Sequence, residues 1–167
     1  MSQNNNSSNM SRAYSPGDTE GRIYKLWEEA GYFQPNTSSD KHPFVMIMPP
    51  PNVTGELHMG HALTVAVEDM IVRWHRMKGE PTLYLPGTDH AGIATQVVVE
   101  RLLATEGVTR YELGREKFEA RIWEWVETYG NRIYEQLRRL GTSCDWSRST
   151  FTLDETPRKA VRKTFAD

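Results

Sequence analysis

Cysteine is the scarcest resource of this 167-residue chain, which has one, Cys144. A lone thiol excludes an internal disulfide and leaves no cysteine cluster for zinc. Cys144 reads as a small, partly buried filler rather than a nucleophile. Charge of one sign is also lacking. The 20 Lys and Arg against 22 Asp and Glu leave a formal net charge of −2, too little for broad attraction to nucleic acid or an anionic membrane. No run is long and apolar enough to cross a bilayer. The Asn- and Ser-rich N-terminus has no apolar core, so it lacks the form of a secretory signal. A cytoplasmic protein is expected. Neither a Walker loop nor a GxGxxG fingerprint occurs, and there is no internal repeat.

What is present suits one globular domain, with 38% apolar and 25% charged residues. Residues 1–13 are polar and of low complexity, which predicts a disordered tail. A helix is expected over 18–30, with Ile23, Leu26, Trp27 and Ala30 inward and Gly31 as its stop. Residues 34–42 read as a linker. The continuous apolar run 44–48 predicts a fully buried parallel strand. A helix over 60–78 follows, with Leu63, Val67, Met70, Ile71 and Trp74 as its inward stripe. Residues 82–85 read as a second strand, so the three elements form a βαβ unit with a right-handed crossover. A helix over 92–105 is expected to turn Ile93, Val97, Val98 and Leu102 inward. A long helix over 115–140 keeps Phe118, Ile122, Val126, Tyr129, Ile133, Leu137 and Leu140 on one face, although Gly130 costs it ~1 kcal/mol relative to Ala. Residues 144–153 read as irregular or briefly extended. Asp154 is the expected N-cap of a last helix, with Pro157 in its first turn. Two strands alone leave open edges and are rarely stable, so the chain reads as the front piece of something larger.

In open parallel sheets, ligands bind beyond the carboxyl ends of the strands. The first strand leads into Pro49-Pro50-Pro51-Asn52-Val53-Thr54-Gly55-Glu56-Leu57-His58-Met59-Gly60-His61, and the second into Gly87-Thr88-Asp89-His90-Ala91-Gly92. Both loops are therefore expected on one cleft. His58 and His61 stand where a helix begins. Gly60 permits close approach of a ligand, and a helix N-terminus offers free N–H groups to phosphate. Imidazole N–H groups suit the same task. A donor that meets charge developing in a transition state is typically worth ~3 kcal/mol. An isolated HxxH pair is more often two surface or core histidines. The strand–loop–helix setting, with glycine and proline alongside, turns the reading towards phosphate. No third ligand accompanies the pair, so no metal site is predicted. Pro49, Pro50 and Pro51 stiffen the loop and wall a pocket, while Asn52 and Thr54 read as turn residues. Asp89 is open between two readings: an anion for a substrate amine, or an N-cap or Asx turn before the next helix. His90 and Gln96 are weaker candidates. Trp123, Trp125 and Tyr129 read as core stripe, and the basic clusters at 138–139, 158–159 and 162–163 as solvated faces.

The loop PPPNVTGELHMGH resembles the HIGH motif of class I aminoacyl-tRNA synthetases. Related HxGH loops occur in other nucleotidylyltransferases. The longer context is similar to the valine-specific branch of the family, through PPPNVTG, LHMGHA, LPGTDHAGIATQVVVE, LGREKFE and LRRLGTSCDWSR. The stretch LWEEAGYF is similar to the lead-in of the same branch, so the resemblance spans 14–167. It implies an α/β chain, helix-rich with parallel strands, forming the first half of a Rossmann-like nucleotide-binding fold. Residues 14–42 would be an N-terminal helix and linker, and 43–167 the N-terminal half of the catalytic domain, truncated at its C-terminus. The implied partners are valine, ATP with Mg²⁺, and tRNA(Val). Valyl-adenylate would form, pyrophosphate would leave, and the valyl group would pass to the tRNA. His58 and His61 would be the catalytic pair on the ATP phosphates, with Gly60 letting adenosine lie close. Pro50, Pro51 and Asn52 would wall the valine site, and Asp89 would pair with the α-amino group. A KMSKS-like loop, the second half of the nucleotide fold, the editing insertion and the anticodon-binding helices do not occur in the sequence. The isolated chain is therefore expected not to charge tRNA at an appreciable rate. A freestanding HxGH nucleotidyltransferase and a non-catalytic truncated paralogue stand as alternatives.

Overall fold

A computed structural model describes residues 13–166. The tail expected over 1–13 lies, apart from Ala13, outside the described residues. The elements are α1 (Pro16–Glu29), β1 (Phe44–Ile47), α2 (Met59–Met77), β2 (Thr82–Leu85), β3 (Gly87–Thr88), α3 (Gly92–Thr105), α4 (Arg110–Leu113), α5 (Arg115–Arg139), β4 (Thr150–Phe151) and α6 (Glu155–Ala166). β1 and β2 pair in parallel, Phe44 opposite Thr82 and Ile47 opposite Leu85. With α2 between them they make the expected βαβ unit. β3 continues the line of β2 past Pro86, and pairs in parallel with β4.

Residues 84–89 thus alternate their partners. On one side the Leu85 carbonyl accepts the Met48 N–H at 3.0 Å. On the other, Tyr84, Pro86 and Thr88 carbonyls accept N–H groups from Asp145, Thr150 and Thr152 at 3.0, 3.3 and 3.1 Å. At the tip the first side resumes. Asp89 donates its N–H to the Pro51 carbonyl at 2.8 Å, and its own carbonyl accepts the Val53 N–H at 2.9 Å. Gly87 permits this crowding, because a Cβ there would lie 2.9 Å from the Thr150 carbonyl oxygen.

The core gathers Met48, Val53, Val65, Val72, Tyr84, Ile133, Leu137 and Cys144. Burial pushes the Cys144 thiol far up, which leaves it un-ionised and inert. The expected stripe of α5 runs from Phe118 to Leu137, but Leu140 lies exposed beyond the last turn. Elsewhere the inward faces differ from expectation. β1 is buried on one side only: Val45 and Ile47 are 57% and 67% exposed, because helices cover a single face of the strand pair. α2 turns Val65, Asp69 and Val72 inward, and leaves Leu63, Val67, Met70 and Trp74 outside. Asp69 drives that choice. Its carboxylate accepts the Ser143 N–H at 2.9 Å, the Ser143 hydroxyl, and Arg73 Nε at 2.6 Å. One turn on, Arg76 donates to the Phe33 and Ser143 carbonyls at 3.1 and 2.8 Å. A buried charge so fully paired is tolerated, and it fixes how the helix is rotated. α3 buries Thr95, Val99 and Leu103 and exposes Ile93. α1 buries Tyr24 rather than Leu26, since the Tyr24 hydroxyl donates to the Thr142 carbonyl at 2.6 Å and accepts from Trp146 Nε1 at 2.7 Å. The short α4, unforeseen, is held by a capping box between Thr109 and Glu112. Asp154 precedes α6 as expected, but its carboxylate accepts the N–H of Phe151 at 2.8 Å. Among the described residues no helix is long and apolar enough to cross a membrane.

Candidate active site

His58 is the N-cap of α2. Its Nδ1 accepts the Gly60 N–H at 3.1 Å, while His61 Nδ1 accepts the His58 N–H at 3.3 Å. This is a reciprocal capping box made from two imidazoles. It has a chemical consequence. An Nδ1 that accepts a hydrogen bond carries no proton, so each neutral ring is protonated on Nε2. Two Nε2–H donors remain, on rings whose centroids are 4.0 Å apart. Burial and the neighbouring His58 hold His61 below its ordinary value of 6.5. His61 is therefore neutral at pH 7, where its Nε2–H is a dipolar donor. Gly60 serves this geometry directly. A Cβ there would lie 2.9 Å from His58 Cε1, so the bare Cα accommodates the imidazole. Met48, Pro49, Pro51, His58, Gly60 and His61 line one cavity of about 360 Å³.

The loop that carries this pair is fastened by α5. Trp125 Nε1 donates to the Val53 carbonyl at 2.8 Å, and Gln136 Oε1 accepts the Leu57 N–H at 2.8 Å. Neither residue was singled out for such a role. Each lies more than 70 positions from its partner, and no local pattern announces a contact of that range. Pro51 is buried in the cavity wall, whereas Pro50 is exposed and faces Gly87. Asn52 is exposed and forms the backbone bridge to Asp89.

Asp89 closes an Asx turn, its Oδ1 accepting the Ala91 N–H at 3.2 Å. That fulfils one of the two readings without exhausting the carboxylate. Thr152 Oγ1 lies 2.9 Å from the same oxygen and His90 Nδ1 3.2 Å from it. Among the described residues nothing hydrogen-bonds Oδ2. Ala91 adopts a left-handed conformation, φ 43°, and strain of this kind in a non-glycine residue collects at functional sites. The two predicted loops are thus joined through Pro51, which lines the histidine cavity and accepts the Asp89 N–H. Asp89 does not line that cavity. His90 and Gln96 border a different one, of about 490 Å³, with Phe118 and Trp123. Among the described residues no group of three His, Cys, Asp or Glu side chains is placed to hold a metal ion.

A half-sheet of parallel strands with an HxGH helix start defines a class, and the comparison is direct. Residues 22–167 match the tRNA synthetases class I (I, L, M and V) family, and the chain belongs to it. Valine--tRNA ligases are among its curated relatives. It is 62% identical over 158 residues to a valine--tRNA ligase of Dehalococcoides mccartyi, covering 95% of this chain and 18% of that protein. It is 60% identical over 159 residues to a valine--tRNA ligase of Bdellovibrio bacteriovorus, covering 95% of this chain and 18% of that one. The chain therefore spans less than a fifth of the length of these relatives. A LeuRS of Agrobacterium radiobacter K84, solved in a ternary complex with tRNA and LeuAMS, shares the fold. Its TM-score is 0.74 at 20% identity, covering 93% of this chain and 18% of that one.

Proposed function

We propose that this chain forms the first half of the nucleotide-binding domain of a valine--tRNA ligase. Residues 43–167 would be that half, preceded by a lead-in over 14–42. The substrates are valine, ATP with Mg²⁺, and tRNA(Val). The observation that carries the reading is the pair of outward Nε2–H donors on His58 and His61 at the N-terminus of α2, in one cavity with Pro51. Activation of valine needs little covalent chemistry from protein. The valine carboxylate attacks the α-phosphorus of ATP, a P–O bond forms, and pyrophosphate departs with the electrons of the bond that breaks. Positioning and stabilisation of the growing phosphate charge supply the rate. His58 and His61 donate to phosphate oxygens. Asp89 Oδ2 accepts from the α-ammonium, and Pro50, Pro51 and Asn52 border the side chain. The setting is the cytoplasm, where tRNA is charged. The chain alone leaves the cavity walled on one side and is inactive in charging.

The test uses a chimeric ligase, in which this chain replaces the matching segment of the D. mccartyi valine--tRNA ligase. His61→Ala should lower valine-dependent ATP–pyrophosphate exchange by about 10²-fold, while the loss of one cap hydrogen bond costs no more than ~1 kcal/mol of stability. Unchanged exchange would show that the histidines meet no phosphate.

A further inference from the structure

We propose that Thr152, acting with His90, orients the Asp89 carboxylate and so sets the amino acid affinity of the site. The inference rests on the reading of Asp89 as the partner of the substrate α-ammonium. Thr152 lies 63 positions from Asp89 and reaches it only because β4 lies beside β3. Its hydroxyl is 2.9 Å from Asp89 Oδ1, 2.9 Å from the His90 backbone nitrogen and 2.6 Å from His90 Nδ1.

Proton counting decides the direction of each bond. A hydroxyl has one proton and two lone pairs, and a carboxylate only accepts. The Thr152 proton therefore goes to Asp89 Oδ1. The His90 backbone N–H only donates, and it occupies one lone pair. The other lone pair faces Nδ1, which must then carry its proton. His90 is fixed as the Nδ1–H tautomer, the opposite of His58 and His61. The Ala91 N–H adds a second donor to Oδ1, at 3.2 Å beside Thr152 at 2.9 Å, while the His90 ring, its Nδ1 3.2 Å away, holds the Thr152 hydroxyl in place. The carboxylate is held in one rotation with Oδ2 left to accept. A cation approaching Asp89 meets a pre-aimed oxygen, and it pays less ordering entropy than with a free side chain. The backbone register fixes Thr152 in turn, since its N–H donates to the Thr88 carbonyl at 3.1 Å. Thr152 is a positioning residue: it touches Asp89, not the substrate.

In the chimeric ligase, Thr152→Val keeps the β-branched shape and deletes the hydroxyl. It should raise KM for valine about tenfold, the factor carried by one hydrogen bond to a charged group, with kcat and KM for ATP within about twofold. Thr152→Ser should recover most of that loss. In the full 167-residue chain, ¹⁵N NMR should report His90 protonated at Nδ1; protonation at Nε2 overturns the proposal. Asp89→Asn separates the two ideas. If it raises KM for valine and Thr152→Val does not, the positioning role fails and the amine reading stands. If Asp89→Asn leaves KM unchanged, the amine reading fails and takes this proposal with it. If Thr152→Val lowers kcat, ATP affinity and melting temperature as much as it weakens valine binding, and Thr152→Ser recovers all of them, the hydroxyl is a structural tie and the role is also overturned.

Discussion

At His58 and His61 two imidazoles stand where helix starts more often use a hydroxyl and a carboxylate. The substitution makes the cap titratable, and the sign of the effect follows from His61. Its folded-state value lies below the ordinary 6.5, so the native state binds protons less readily than the unfolded chain. Stability is therefore full above that range and declines as the pH falls through it. Urea midpoints of the 167-residue chain should drop between pH 7.5 and 5.5, and His61→Gln should flatten part of that drop. An identical slope in the variant would place the responsible proton elsewhere. Gly60 gives a second test. Gly60→Ala drives the His58 ring off the helix end and loses one N-terminal hydrogen bond, costing ~1 kcal/mol. Alanine's better helix propensity returns up to ~1 kcal/mol. The melting temperature should hardly change, while pyrophosphate exchange in the chimeric ligase falls about 10²-fold with the displaced donor. This scale was the most legible in the sequence. His58, Gly60 and His61 are neighbours in the chain, and so are Asp89 and His90. Thr152 was not, because it is a neighbour only through strand pairing, and the two-residue strand before it is too short to leave a periodic signal.

Among the elements, α5 decides how firmly the loop that carries the two histidines is held. Gln136 and Trp125 stand eleven positions apart on it, three turns of helix. They grip the loop at Leu57 and Val53, on either side of its turn. Gln136→Ala leaves the half-buried Leu57 N–H without an acceptor, which should cost ~1–2 kcal/mol. Hydrogen exchange should show the Leu57 amide losing protection while the amides of α5 keep theirs. Uniform loss along α5 would mean that Gln136 supports the helix rather than the loop. The long helix itself was readable, because its apolar stripe is flanked by charge on every other face. α2 and α3 were placed but not rotated correctly. α3 is apolar nearly all round, so hydrophobicity alone does not choose its inward face. In α2 a polar residue chose it, through the bonds of Asp69 to Ser143, whose position no sequence pattern reveals.

For the molecule as a whole, the rotation of α2 has a visible result. Leu63, Met70 and Trp74 face solvent on its outer side, and Val45 and Ile47 do so on the uncovered face of the strands. Exposed apolar faces of this kind mark surfaces that another part of a protein covers. The bare faces agree with a chain that spans less than a fifth of its relatives. The 167-residue chain should bind ANS strongly and self-associate as concentration rises, yet retain the near-UV dichroism of a packed core. That combination separates an uncovered face from a molten state. Substitution then locates the face. Leu63→Lys with Met70→Lys should cut ANS fluorescence and shift stability by no more than ~0.5 kcal/mol each, as exposed positions allow. Val72→Ala, on the inward side, removes two buried methyl groups and should cost roughly 2 kcal/mol. If the lysine pair unfolds the chain and Val72→Ala is silent, α2 is rotated the other way. Its histidine cap would then present a different side to the cavity.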